Sequence, residues 1–98
     1  MNAAEMLPVP KLDALTAEQI DGEACVWCRR RPRDPFALGP RLSAQAGRLH
    51  CWHPIAHRRC AAQRAGKVYA LHIKTCARCT HRDYCMDAQA LHKLALAV

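Results

Sequence analysis

The sequence predicts a small metal-stabilised domain, mostly helical with some strand (α+β), and three observations carry that reading. Of 98 residues, 18 are Leu, Ile, Val or Phe and another 18 are Ala, so the chain has too few large apolar side chains to stabilise a core by packing alone. Seven Cys and six His are present, and small domains with little core commonly fasten themselves with disulfides or a metal. The Cys are odd in number and include two Cys-x2-Cys pairs, Cys25/Cys28 and Cys76/Cys79. In a reducing compartment that pattern means metal or redox chemistry, not a disulfide framework.

Charge divides the chain. Residues 1–24 carry one Lys against five acidic residues, a net of −4, whereas residues 25–98 carry fourteen Lys and Arg against Asp34, Asp83 and Asp87, a net of +11. The expected organisation is an acidic N-terminal tail over 1–24 and a two-site zinc-binding domain over 25–98. The opening residues have neither a cationic region nor an apolar run of signal-peptide length, so the chain reads as cytoplasmic. No stretch approaches the ~18 apolar residues of a membrane span.

Each element has its own signal. Pro8 and Pro10 make the first ten residues read as an extended tail. Thr16 and Gln19 stand at capping-box spacing before Ile20, which predicts a short helix ending at Gly22. Residues 29–41, with Arg29-Arg30-Arg31-Pro32-Arg33, Asp34-Pro35 and Gly39-Pro40, read as loop and turn. Residues 41–53 alternate weakly about Gly47-Arg48 and suggest a hairpin. Pro54 reads as the first residue of a long helix whose apolar face holds Ile55, His57, Ala61, Ala62, Ala65, Val68, Tyr69, His72 and Ile73, with Gly66 as the place where it would split. Thr80 and Asp83 form a second capping-box pattern, heading a helix with Tyr84, Ala88, Leu91, Leu94, Ala95 and Val98 on one stripe.

The chemistry lies in two groups. Cys25-Val-Trp-Cys28 and His57-Arg-Arg-Cys60 together spell C-x2-C-x28-H-x2-C, and three thiolates with one imidazole make a closed tetrahedral zinc site. The N-terminus of the long helix favours the Cys60 thiolate. The second group is His72, Cys76, Cys79 and Cys85: His72 and Cys76 are four apart on a helix and share a face, and four ligands from three successive elements would clamp two helices together. His81 is the rival to His72, and His72 is preferred because His81 falls in a capping segment. Two Zn2+ are therefore expected, with an iron–sulfur cluster on Cys76, Cys79, Cys85 and either Cys51 or Cys60 as the alternative. Cys51, in His50-Cys-Trp-His53, reads as a packing residue of the hairpin, and the sharper alternative is an extra ligand or a redox-sensing thiol.

The first group resembles the treble-clef kind of zinc site, in which a knuckle, a hairpin and the first turn of a helix supply the ligands. Cys25-Val-Trp-Cys28, Leu38-Gly-Pro-Arg41, Trp52-x-Pro54, His57-x2-Cys60 and Cys76-Ala-Arg-Cys-Thr-His-Arg-Asp-Tyr-Cys85 together are similar to short Cys-rich, zinc-finger-like hypothetical proteins of high-GC actinobacteria, over about residues 22–96. In those similar sequences the position of His57 is often Cys, an exchange that the resemblance makes a ligand swap. Arg29 follows the second Cys of the knuckle where the zinc-ribbon pattern has Gly. The resemblance supplies no activity.

Catalysis fits poorly. No Glu follows Glu23, so the general acid/base of a zinc deaminase is missing, and H-E-x-x-H is absent. Four protein ligands leave an ion no open position for substrate. The expected role is a regulatory nucleic-acid-binding module presenting Arg29, Arg30, Arg31, Arg33, Arg59, Arg64 and Lys67 to phosphates. The alternative is a protein-interaction adaptor whose acidic first 24 residues fold back on the basic part or meet a partner. No small-molecule substrate is indicated.

Overall fold

The computed structural model describes residues 3–96. The expected extended tail over the first ten residues is not seen from residue 3 onward, residues 1 and 2 lying outside the described ones: Ala3–Met6 form a helical turn, α1, and Ala3, Ala4, Leu7 and Leu12 are buried in the same apolar cluster as Leu38, Trp52, Leu91 and Leu94. The charge boundary at residue 24 is thus no boundary of packing. Pro8 and Pro10 lie in the non-helical stretch that follows α1, while small Ala side chains let α1 approach the last helix closely. Arg41 fastens this segment, its guanidinium donating to the carbonyl oxygens of Ala4 at 2.7 Å, Leu7 at 2.9 Å and Leu38 at 3.1 Å. After a 3-10 turn over Leu12–Ala14 comes α2, Ala17–Ile20. The capping box forms as expected, with the Thr16 hydroxyl accepting from Gln19 N–H and the Gln19 side chain accepting from Thr16 N–H.

Among the described residues there are two small antiparallel sheets of two strands. Strands β2 (Arg41–Gln45) and β3 (Arg48–Trp52) form the hairpin, closed by Ala46 and Gly47 at φ 52° and 77°. Two consecutive left-handed residues make the primed turn that matches strand twist. The other sheet pairs β1 (Phe36–Ala37) with β4 (Ile55–Ala56). It moves the start of the long helix: Pro54 is not its first residue, because the Pro54 carbonyl accepts from Leu38 and the Ile55 carbonyl accepts from Val26. Those bonds hold 54–56 extended, and His57 becomes the N-cap of α3, Arg58–Thr75.

Gly66 does not split α3. A Cβ built there would sit 3.9 Å from that of Ala95, so the glycine lets the last helix pass closely. The buried face of α3 narrows to Ala61, Ala62 and Ala65, with Val68 and Tyr69 partly covered, and Ile73 is exposed. The expected cap at Thr80 and Asp83 is not used. Thr80 ends a short helix, α4 (Ala77–Thr80), its hydroxyl bonding the Ala77 carbonyl, and Asp83 N–H is taken by the Arg78 carbonyl. The last helix, α5 (Met86–Ala95), starts after Cys85 and buries Ala88, Leu91 and Leu94 as the stripe predicts. Tyr84 lies before it and is exposed; Val98 falls outside the described residues.

Candidate metal centres

Sulfur and nitrogen donors of Cys25, Cys28, His57 and Cys60 all lie within 4.8 Å of one another. Three local features bring them there. The knuckle closes on itself, with Arg29 N–H donating to the Cys25 carbonyl at 3.0 Å and Cys25 N–H to the Arg30 carbonyl at 2.8 Å. Its turn puts Arg29 at φ 68°, the left-handed conformation that a glycine would adopt freely. Bridging of Cys25 to Ile55 then carries the knuckle to the strand entering α3, whose N-cap is His57 and whose first turn holds Cys60. Buried Gln19 completes the support, its amide donating to the Cys25 carbonyl at 3.0 Å. The His57 Nδ1 is 3.1 Å from Cys28 Sγ.

The second group is His72, Cys76, Cys79 and Cys85, again with donors within 4.8 Å of one another. His72 lies in the last turns of α3, Cys76 both ends α3 and precedes α4, Cys79 sits in α4, and Cys85 is the N-cap of α5. His72 Nε2 is 3.3 Å from Cys85 Sγ. His81, on the turn after α4, is exposed and not in the group. Cys51 is exposed and Cys60 belongs to the first group, so the fourth member here is His72. Tetrahedral zinc, with Zn–S about 2.3 Å and Zn–N about 2.1 Å, separates a sulfur and a nitrogen by about 3.6 Å. The sulfur–nitrogen pair at 3.1 Å in the first group and the one at 3.3 Å in the second are slightly shorter than that, and the remaining donors lie within 4.8 Å. Each group is a Cys3His set that can hold one metal ion.

Electrostatics within the groups point the same way. Burial acts to raise the Cys25 thiol, yet backbone N–H groups of Cys28, Trp27 and His57 and the His57 side chain outweigh it and bring the pKa from 9.0 to about 6. Cys60, expected to be favoured as a thiolate by the start of α3, is instead pushed up to about 12 by burial and then by the negative charge of Cys25 and Cys28. In the second group Cys76 is lowered, chiefly by the backbone N–H of Cys79, while burial and the neighbouring Cys85 and Cys76 push Cys79 up to about 11. Crowded thiols that cannot all ionise together are stabilised as thiolates by a cation placed among them.

Seven basic residues were expected to face phosphate. Arg29, Arg30, Arg33, Arg59 and Lys67 are exposed. Arg30 and Arg59 line one shallow depression with Cys28, His57 and Cys60, so the first metal group lies directly beneath them. Arg31 is exposed but reaches Glu23 at 3.3 Å. Arg64 is partly buried, its guanidinium 5.6 Å from the Trp27 ring centre, which ties α3 to the knuckle. Two supports escaped sequence reasoning, the Arg41 clasp and the amide of Gln19 on Cys25. Both act over chain separations that local patterns do not report.

No helix among the described residues is long and apolar enough to cross a membrane. Comparison with protein families, with characterised proteins and with solved structures finds no match to this chain.

Proposed function

We propose that the chain is a small zinc-binding protein in which each Cys3His group holds one Zn2+ as a closed structural site, and in which the face around the first site binds the phosphate backbone of nucleic acid. The observation that carries the metal reading is the gathering of eight donors into two sets, each within 4.8 Å. Four protein ligands per ion leave no position for substrate, which supports a structural and not a catalytic ion. In the first site a knuckle, a hairpin and a helix start supply the elements of a treble-clef-like arrangement. All seven thiols are free, which suits a reducing compartment such as the cytoplasm.

Support for the nucleic-acid reading is the net charge of +7 together with the placement of Arg30 and Arg59 over one depression, flanked by exposed Arg29 and Arg33. Phosphate contacts made by point charges release counterions, so affinity falls as salt rises. Titration of zinc-loaded protein against duplex and single-stranded DNA over a range of salt tests the reading. Arg30→Ala and Arg59→Ala should each flatten the salt dependence by about one counterion's worth of slope and leave the metal content unchanged. Salt-independent binding, or none, would move the basic face to the adaptor reading, in which an acidic protein is the partner.

A further inference from the structure

The β2–β3 hairpin is built inside out for a monomer. Its register pairs Leu42 with Cys51 and Ala44 with Leu49, so these four side chains share one face. All four are exposed, Leu42 by 67% and Leu49 by 69%, whereas Trp52 on the opposite face is buried. A half-buried sheet ordinarily turns its polar residues to water. The outer edge is open as well. In a hairpin with a two-residue loop the residues flanking the turn exchange both backbone bonds and the pattern then alternates, so Arg48, His50 and Trp52 bond back to β2 while N–H and C=O of Leu49 and Cys51 point away from it. Among the described residues no other backbone bond reaches Leu49 or Cys51, and 48–51 are exposed throughout.

We infer that β3 pairs with β3 of a second copy of this chain, antiparallel about a two-fold axis at His50, to make a four-stranded sheet with one continuous apolar face. Three features select a second copy. The two-fold register brings the outward backbone groups of Leu49 in one copy onto those of Cys51 in the other, so every open donor and acceptor of the edge is met by the same strand. It also sets Leu49 beside Cys51 on the apolar face, so that at the seam each meets an apolar neighbour from the other copy, while Leu42 and Ala44 on β2 lie away from the seam. Arg48, the strand's one formally charged side chain, lies opposite Trp52 and far from its own mate, so the pairing avoids like charges. The edge has no Lys, Pro or bulge of the kind that blocks such pairing. One five-residue edge buries less than the ~800 Å² per partner of a stable interface, so the dimer is weak and fills with concentration. The inference stands apart from nucleic-acid binding.

Sedimentation equilibrium of the metal-loaded chain over a wide concentration range tests it. The apparent mass is expected to rise from that of the monomer towards twice that value. Leu49→Lys, at an outward and exposed position, is expected to keep the helix content and metal content and to remain monomeric. The axis can be checked separately. In a Cys51→Ser background, His50→Cys would face itself across the axis at a non-hydrogen-bonded pair, where Cα atoms about 4.5 Å apart suit a disulfide. Mild oxidation should link it into dimers far faster than Gln63→Cys on the exposed side of α3. A monomer at every concentration, association unchanged by Leu49→Lys, or equal cross-linking of the two cysteine variants overturns the inference.

Discussion

The two Cys3His groups have the same donors and opposite settings. The first joins parts of the chain about thirty residues apart, from Cys28 to His57 and Cys60, and Cys25 at its centre is fully buried, its carbonyl accepting from Gln19 and Arg29, its N–H donating to Arg30, and its backbone bridged to Ile55. The second spans only His72 to Cys85, and most residues from 77 to 87 are exposed; a solvent-open cleft lined by Cys76, Arg78, Cys85 and Met86 runs beside it. A metal that closes a long loop inside the core and one that staples consecutive turns at the rim restrict the unfolded chain by different amounts. The first ion should therefore hold the fold, and the second should hold a corner of it.

Cys25→Ser gives the largest expected effect. It removes the first ion and leaves a hydroxyl in a core that cannot compensate, and a structural zinc contributes on the order of 10 kcal/mol, so far-UV circular dichroism should show a largely unfolded chain. Cys79→Ser removes the second ion alone. Hydrogen exchange should show lost protection over 76–86 with α5 retained around Leu91 and Leu94, because α5 keeps its packing against α1 and α3. Sequence alone suggests that Cys76→Ser unfolds both C-terminal helices. The packing of α5 now confines that loss to its N-terminal end, and equal unfolding by Cys25→Ser and Cys79→Ser would erase the contrast between the sites.

Arg41→Ala comes next. It leaves three carbonyls without the guanidinium, and hydrogen bonds to a charged group justify a loss of about 2–4 kcal/mol, read as a lower midpoint in urea and faster exchange over 3–12. Metal content should not change, which separates the clasp from the sites.

Proton release distinguishes the sites more finely. With Cys60 raised to about 12 and Cys79 to about 11, each group holds a thiol proton at neutral pH that an incoming ion must displace. Calorimetry in buffers of different ionisation enthalpy should count at least two protons released when both sites load. Affinity consequently rises with pH. Cys25, lowered to about 6, stays a thiolate above that value and takes up a proton as pH falls through it, so the first site should lose metal more steeply below about 6. The smallest expected effect is that of Cys51→Ser, within about 0.5 kcal/mol at low protein concentration because Cys51 is exposed and outside both groups.

What the sequence shows plainly is whatever depends on neighbours in the chain. Thr16 and Gln19 state their capping box, the Ala88, Leu91 and Leu94 stripe states its helix, and the spacings of the Cys and His pairs state two donor sets. Failures come where distant chain segments override local propensity. Pro54 looks like a helix start until Leu38 and Val26 draw 54–56 into a sheet. Thr80 looks like a cap until the turn through Cys79 uses it as a helix end. Pro8 and Pro10 look like a tail because nothing local discloses that Arg41, more than thirty residues on, will bind the carbonyls of Ala4 and Leu7.

Native mass spectrometry of the protein as purified, set against its denatured mass, tests the central claim most directly. The account expects a mass excess of two zinc ions with one far more easily stripped by a chelator, and Cys79→Ser should abolish the labile one. A single ion, two ions lost together, or an iron–sulfur mass on the second group would contradict it.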